Sequence, residues 1–318
     1  MKTDTLVAID AMYIVYHSIF RTIRIWQTRN KAEAEHYLTI AESGEQHDLL
    51  KSESFKSGLN MSIIHTCTRI NDIIADAFPQ YAGLEPSSFA TQLFILDDKI
   101  SNGFRRKIYP DYKITRAAAH AQQAFNIGII RGYIVNYLLD ELDIWNRLGY
   151  KRVFVENAEA DDVIYATMTK FSDQYANRLV VSSDKDLLQI PNVLQYNLEG
   201  KLLTRRTRKT NELMTCSDFL LRKIIMGDGS DNIPSICDRC GFVKAERFVN
   251  DKDSLKRYLT ENTDAAKQFA LNKSIIDLAK MPDELLSSIT AVVSDVLNND
   301  TKEVEFADLQ FDLLASPL

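Results

Sequence analysis

The chain has 318 residues, 45% hydrophobic and 26% charged, with a formal net charge of −6, which is ordinary composition for a soluble protein with one large core or two modest domains. No apolar run approaches the ~20 residues of a membrane span, because Arg131 interrupts the best candidate, FNIGIIRGYIVNYLL, and MKTDT leads into the first apolar run without a signal-peptide arrangement. Four cysteines without a small-domain framework fit a reducing compartment, so a cytoplasmic location with no membrane partner is expected, the host cytoplasm for a viral protein.

LVAIDA predicts a short buried strand, and AMYIVYHSIFRTI after it places Met12, Val15, Tyr16, Ile19 and Ile23 at near-helical spacing. Residues 28 to 58 are polar and charged with no clear buried face, which predicts a loop or a solvated helical insertion. GLNMSIIHTCTRINDIIADAF predicts an amphipathic helix ending at Pro79, and FATQLFILDD the next strand. From Lys99 to about Ala124 the chain is basic, then alanine-rich, and holds Pro110, so a long excursion, partly disordered without a substrate, is expected there rather than a core element. Helix resumes through IIRGYIVNYLLDELDIWNRLG, with Gly149 as its stop. KRVFVE, EADDVIYATMTKFSD and RLVVSSD then read as strand, helix and strand. This alternation predicts an α/β fold, a mostly parallel central sheet flanked by helices, with ligands outside the carboxyl ends of the strands. VLQYNLEGKLLTRRT predicts a hairpin turning at Glu199-Gly200, and from Ser217 onward the pattern is helical until the mobile tail EVEFADLQFDLLASPL.

Acidic side chains recur at the ends of the apolar runs: Asp10 after LVAI, Asp97 after LFIL, and Asp184 and Asp186 after LVVSS. The EADD cluster adds Glu159, Asp161 and Asp162, and GDGSDN adds Asp228 and Asp231. Each motif alone is explained by helix capping or a turn. Together they would repel one another in a poorly solvated crevice, a penalty that a hard divalent cation removes. The surplus of acids argues for two ions of Mg²⁺ or Mn²⁺, or for one ion with acids acting through its waters. Such ions can activate a water and stabilise the leaving oxygen of a phosphodiester. Helical spacing predicts that Glu159 and Asp162 share a face, with Asp161 to its side. Net charge is then a poor guide to a polyanionic partner, and two basic clusters matter more: Arg105, Arg106, Lys107, Lys113 and Arg116, and Lys201, Arg205, Arg206, Arg208 and Lys209.

The combination VAIDA, FILDD with FRRKIYPDYKITR, ENAEADD, VSSDKDLLQI and MGDGSDNIP resembles the flap endonuclease and 5′ nuclease family. It is most like the short phage-type 5′ nucleases, which include phage ribonuclease H and the 5′ nuclease domains of bacterial DNA polymerases. The likeness covers most of residues 5 to 290 and is weakest over 28 to 58. It implies a PIN-like metal-nuclease core over 1–212 with a helical arch at about 99–130, a helical duplex-binding region over 213–300 and a tail over 301–318. It also implies that Asp10, Asp97, Glu159, Asp161 and Asp184 hold the first metal and its waters. Asp186 and Asp231 match the second site, with Asp162 and Asp228 as supporting carboxylates. Tyr112, Lys113 and Arg116 match arch residues that grip the scissile phosphate and the displaced 5′ strand, Lys113 and Arg116 neutralising charge in catalysis and Tyr112 stacking a base. Arg105 matches a basic residue near the arch base, and Lys244 is expected near the duplex. The chain departs from the family at Ala11 and His17, where Gly and Arg are usual, and in SICDRCGFVKAERF, which keeps only Gly241 of a glycine-rich turn.

The implied function is a divalent-metal-dependent, structure-specific 5′ nuclease, a 5′-3′ exonuclease and flap endonuclease that also degrades RNA in RNA:DNA hybrids, acting as a monomer in primer and flap removal. Its rivals are a non-catalytic nucleic-acid-binding accessory on the same fold and an RNA-only PIN-like ribonuclease. Lost acids would mark the first, and PDYKITR with the long helical region stands against the second. CDRC, Cys237 to Cys240, is expected to be a pair of ordinary thiols rather than a zinc site, since no further ligands fall at metal spacing. QFDLL, Gln310 to Leu314, resembles short sliding-clamp-binding peptides.

Overall fold

A computed structural model of the chain describes residues 4–42, 48–98, 103–115, 125–141 and 148–299. Five strands form one parallel sheet: β1 (Thr5–Asp10), β2 (Ala90–Leu96), β3 (Lys151–Phe154), β4 (Asn177–Val181) and β5 (Leu194–Tyr196). Their order is β3-β2-β1-β4-β5. Both faces of such a sheet are covered, which is why β1 reads as a continuous apolar run rather than an alternating one. Val7 and Ile9 join a cluster with Ile14, Ile63 and Ile70, whereas Leu6 and Ala8 join one with Val163 and Ile164. The first face is supplied by α1 (Ala11–Arg29) and α3 (Glu53–Ala77), and the second by α6 (Ala160–Lys170).

Residues 28 to 58 include helix, as one of the two expectations had it, but are not wholly solvated. The first helix runs on to Arg29, α2 (Lys31–Glu42) follows, and Ala34, Leu49 and Phe55 are buried in the first cluster. Trp26 anchors this corner, edge-on to Tyr37 and Phe55 at 5.7 Å each, its Nε1–H donating to Ser54 Oγ at 2.9 Å. The apolar contacts are few and widely spaced in sequence, so no periodic stripe announced them.

The basic excursion is likewise not wholly outside the core. A short helix, α4 (Phe104–Ile108), leads to Tyr112, which is buried in a cluster with Ile224, Ile233 and Ile275. Residues 99–102 and 116–124, and with them Arg116 and part of the expected arch, lie outside the described residues, as do Gln310 to Leu314. The next helix, α5 (Ile127–Gly132), passes into a π-helical stretch, Tyr133–Glu141.

Beyond β5 the chain makes a tight turn at Gly200, where φ is +74°, with one antiparallel bridge between Tyr196 and Leu202. Four helices follow: α7 (Cys216–Met226), α8 (Phe242–Asn250), α9 (Lys252–Glu261) and α10 (Thr263–Ile276). Phe219, Ile225, Ile236, Ala245, Val249 and Leu255 form a core of their own. The last helix, α11 (Asp283–Asn298), returns to the sheet, where Ile289 and Val293 join Val153 and Val163. Lys151 Nζ donates to the carbonyls of Val296 and Leu297 at 3.1 and 3.4 Å, placing a cation at that helix's negative end. Among the described residues no helix is long and apolar enough to cross a membrane.

The loop after α7 is held from two sides. Gly227 has φ +66°, and a Cβ there would lie 2.4 Å from the carbonyl oxygens of Ile233 and Pro234. Asn272 on α10 donates to the carbonyls of Ile224 and Pro234 at 2.8 Å each. Gly227→Ala is therefore expected to lower unfolding free energy by about 2 kcal/mol or more, measured by urea denaturation; a midpoint equal to wild type would contradict this packing.

Candidate active site

The order β3-β2-β1-β4-β5 makes the chain leave β1 in opposite directions, so its topological switch lies between β1 and β4. At such a point the connections diverge and open a crevice outside the carboxyl ends of the strands. Asp10 ends β1, Asp97 follows β2 and Asp184 lies just beyond β4. A crevice of about 580 Å³ opens there, lined by Asp10, Asp97, Glu159, Asp161, Asp184, Asp186, Asp228 and Asp231, eight of the nine acids singled out in the sequence.

Local hydrogen bonds aim these groups. Asp10 caps α1, its Oδ1 accepting from the Tyr13 N–H at 3.0 Å while its Oδ2 accepts from Ser182 Oγ at 2.9 Å. Asp97 Oδ1 accepts from the Ala160 N–H at 2.5 Å, tying β2 to the start of α6. Asp184 Oδ1 accepts from the Asp186 N–H at 2.7 Å and folds the DKD turn back on itself.

Burial and like charge act together on this group. Burial, with Asp97 nearby, pushes Asp10 from 3.8 up to about 7. Asp97 is raised by burial and by Glu159, despite the Ala160 N–H and Lys113. Asp161 is raised well above the carboxylate range by burial and by Asp184. Glu159 goes the other way: burial would raise it, but Lys113 and Arg105 more than offset this and hold it low.

Cations stand on the opposite wall. Lys113 Nζ donates to Glu159 Oε2 at 3.0 Å and lies 4.0 Å from Asp231. Its backbone is left-handed, φ +56°, and its N–H donates to the Asp231 carbonyl at 3.0 Å. A lysine in that region carries local strain, of order 1–2 kcal/mol, which the Asp231 contact and the buried Tyr112 hold in place. Lys223 on α7, which sequence reasoning missed, bridges Asp186 and Asp228, the latter at 2.9 Å. Burial would lower Lys223 and raise both acids; the mutual attraction wins for Lys223, raised, and for Asp228, lowered, but not for Asp186, which stays raised. Within RKIIMGD a lysine at helical spacing looks like a solvated face, so no sequence signal marked it.

Three expected roles are corrected. Asp162 does not face the crevice: it is 1% exposed, and its carboxylate takes a two-pronged grip from Arg105 at 2.6 and 2.8 Å. Arg105 is spent on that pair and on the Ile275 carbonyl, 2.9 Å from its Nε, so its guanidinium is not free for a nucleic acid. Tyr112 is buried, its hydroxyl donating to Glu159 Oε2 at 3.0 Å, so its ring is not an open stacking surface. Glu159 and Asp161 share the crevice instead of Glu159 and Asp162, because Glu159 precedes the helix with an extended backbone, φ −80° and ψ 151°. Lys244 lies outside the crevice on α8, its Nζ donating to the Asp238 carbonyl at 3.2 Å.

The donor set suits a hard divalent cation: carboxylate oxygens with neighbouring hydroxyls, and neither thiolate nor imidazole on the crevice wall. Among the described residues no three acidic, histidine or cysteine side chains are drawn into a closed ligand set. A wide crevice ringed by carboxylates accommodates ions that retain waters better than bare ones.

A family model for the 5′-3′ exonuclease N-terminal resolvase-like domain matches residues 56–217, just over half of the chain. Ribonuclease H of Enterobacteria phage T4 is 28% identical over 220 residues, which are 63% of this chain and 68% of that protein. A 5′-3′ exonuclease of Buchnera aphidicola is 24% identical over 205 residues, 64% of this chain and 65% of that protein. The bacteriophage T5 flap endonuclease, solved as a complex with DNA and metal ions, superposes with a TM-score of 0.60 over 93% of this chain and all of that one. At 14% identity this last likeness concerns the fold, a PIN-like α/β core with added helices.

A carboxyl group raised in the folded state binds a proton that the unfolded chain has lost, so its stabilising contribution is complete below its ordinary value and disappears above the raised one. For Asp10 that window runs from 3.8 to about 7. In chelator the thermal midpoint is expected to fall as pH rises through this range, less steeply in Asp10→Asn, and Mg²⁺ is expected to restore it above the window. A profile flat in pH and insensitive to Mg²⁺ would contradict the electrostatic reading.

Proposed function

The chain belongs to the 5′-3′ exonuclease family, and on that premise we propose that it is a divalent-metal-dependent, structure-specific 5′ nuclease. Its substrates in this reading are 5′ ends and flaps of DNA, and RNA in RNA:DNA hybrids, removed during replication. The observation that carries the reading is the ring of eight carboxylates at the sheet's switch point, faced by Lys113.

Mg²⁺ or Mn²⁺, as one or two bound ions, supplies an activated water and stabilises charge on the phosphodiester oxygens. Asp10, Asp97, Glu159, Asp161 and Asp184 are the proposed holders of the first ion, directly or through its waters. Asp186, Asp228 and Asp231 are the holders proposed for a second, and Lys223 keeps Asp186 and Asp228 together when no ion does. Lys113 presents its ammonium to the scissile phosphate from the opposite wall, where it offsets developing negative charge. Glu159 keeps that ammonium in place until a phosphate competes for it. Arg116, three residues further on, is proposed to grip the displaced strand. Tyr112 acts as a positioning residue through Glu159, and the Arg105–Asp162 pair braces the same wall from behind. Residues 213–300 are proposed as the duplex-binding region, with α11 bracing the sheet, and Lys244 remains a proposed duplex contact. The clamp-like peptide at Gln310 to Leu314 would tether the chain to replication machinery.

The test uses 5′-flap, nicked-duplex and RNA:DNA hybrid substrates with Mg²⁺ or a chelator. Asp184→Asn and Lys113→Ala are each expected to lower kcat by about 10²-fold or more, with the unfolding midpoint little changed in Asp184→Asn and lowered in Lys113→Ala, which takes from Glu159 its ammonium partner. Cleavage that persists in chelator, or Asp184→Asn as active as wild type, would overturn the proposal.

A further inference from the structure

A second cavity, of about 680 Å³, adjoins the acidic crevice and shares Lys185, Lys223 and Asp228 with it. It lies between residues 201–211, α7 and the start of α8, and its charge is opposite: six cationic side chains line it against the single acid Asp228. Two of the cations are committed within the fold, Arg222 to Glu246 at 2.8 Å and Lys223 to Asp186 and Asp228. Among the described residues the exposed side chains of Lys185, Lys201 and Arg208 form no salt bridge.

An aromatic ring sits among these charges. Phe242, the first residue of α8, is 44% exposed and lines the cavity. The guanidinium carbons of Arg222 and Arg208 lie 5.2 and 5.9 Å from its ring centroid. Glu246 Oε1 fixes this arrangement, accepting from Arg222 Nη1 and from the Arg208 N–H at 2.8 Å each. The ring is thus flanked by two guanidinium groups in a cationic groove and remains 44% exposed.

Cations along a groove suit a phosphodiester backbone of any kind, but an exposed ring held among them suits an unpaired base, whose π-face is free to stack. We propose that this groove binds single-stranded nucleic acid, its backbone along Lys185, Lys201 and Arg208 and a base stacked on Phe242. The inference rests on the nuclease reading and adds to it a second strand contact beside the crevice, which favours substrates with an unpaired stretch there over a fully paired nick. Lys185 and Lys223, common to both cavities, mark where a strand passes from one to the other.

Fluorescence anisotropy of the full chain with Ca²⁺, using a labelled mixed-sequence single strand and a blunt duplex, tests the proposal. Phe242→Ala is expected to weaken single-strand binding about tenfold, several-fold more than it weakens duplex binding, and Phe242→Tyr to retain it. Arg208→Glu is expected to weaken single-strand binding and flatten its salt dependence. With Mg²⁺, Phe242→Ala is expected to raise KM on a gapped flap far more than it lowers kcat. Wild-type single-strand affinity in both Phe242→Ala and Arg208→Glu, or an equal loss for single strand and duplex, would overturn the inference. A wild-type chain that cleaves none of these substrates with Mg²⁺ would instead overturn the nuclease reading, so the two failures are distinguishable.

Discussion

Carboxylates that share a poorly solvated crevice cannot all stay ionised without a counter-charge, and this constraint governs the molecule. Charges close together in low dielectric interact far more strongly than in water. Asp10, Asp97 and Asp161 show the consequence, all displaced upward by burial and by neighbouring carboxylates. Glu159 and Asp228 escape it because Lys113 and Lys223 stand beside them. Among the described residues the crevice therefore has two regimes, an inner group at the strand ends that makes no salt bridge and an outer group already paired with lysines.

The fold makes this arrangement affordable by placing it where the sheet cannot close. With β2 on one side of β1 and β4 on the other, the connections diverge above the β1–β4 pair, and the acids enter from separate elements rather than from one. Backbone donors do the aiming: the Tyr13, Ala160 and Asp186 N–H groups each hold one carboxylate. The C-terminal helices close the other side. Gly227 and Asn272 fix the loop that carries Asp228 and Asp231, and the Asp231 carbonyl in turn receives the left-handed Lys113. A mutation in that loop thus reaches the Lys113 wall of the crevice through backbone, without touching a charged group.

Much of this was legible in the sequence because strand ends are punctuated by apolar runs, and an acid after such a run has nowhere to go but the rim. Hence Asp10, Asp97 and Asp184 were placed by pattern alone. The errors share one cause, geometry outside regular periodicity. Glu159 and Asp162 are three apart, yet helical spacing does not apply because the helix begins only at Ala160. Arg105 and Asp162 find each other across 57 residues, and Trp26 meets Phe55 across a segment with almost no apolar signal. Lys223 was invisible because its partners come from the DKD turn and from GDGS, two segments that only the fold unites.

Proton release on metal binding tests the central claim most directly. Calorimetric titration of Mn²⁺ into the chelator-treated chain near pH 6, repeated in buffers of different ionisation enthalpy, counts the protons expelled. Binding accompanied by net proton release that diminishes above about pH 8 is expected, because inner carboxylates raised as Asp10 is must ionise to meet the cation. Binding with no proton release at pH 6, or no binding at all, would contradict the account.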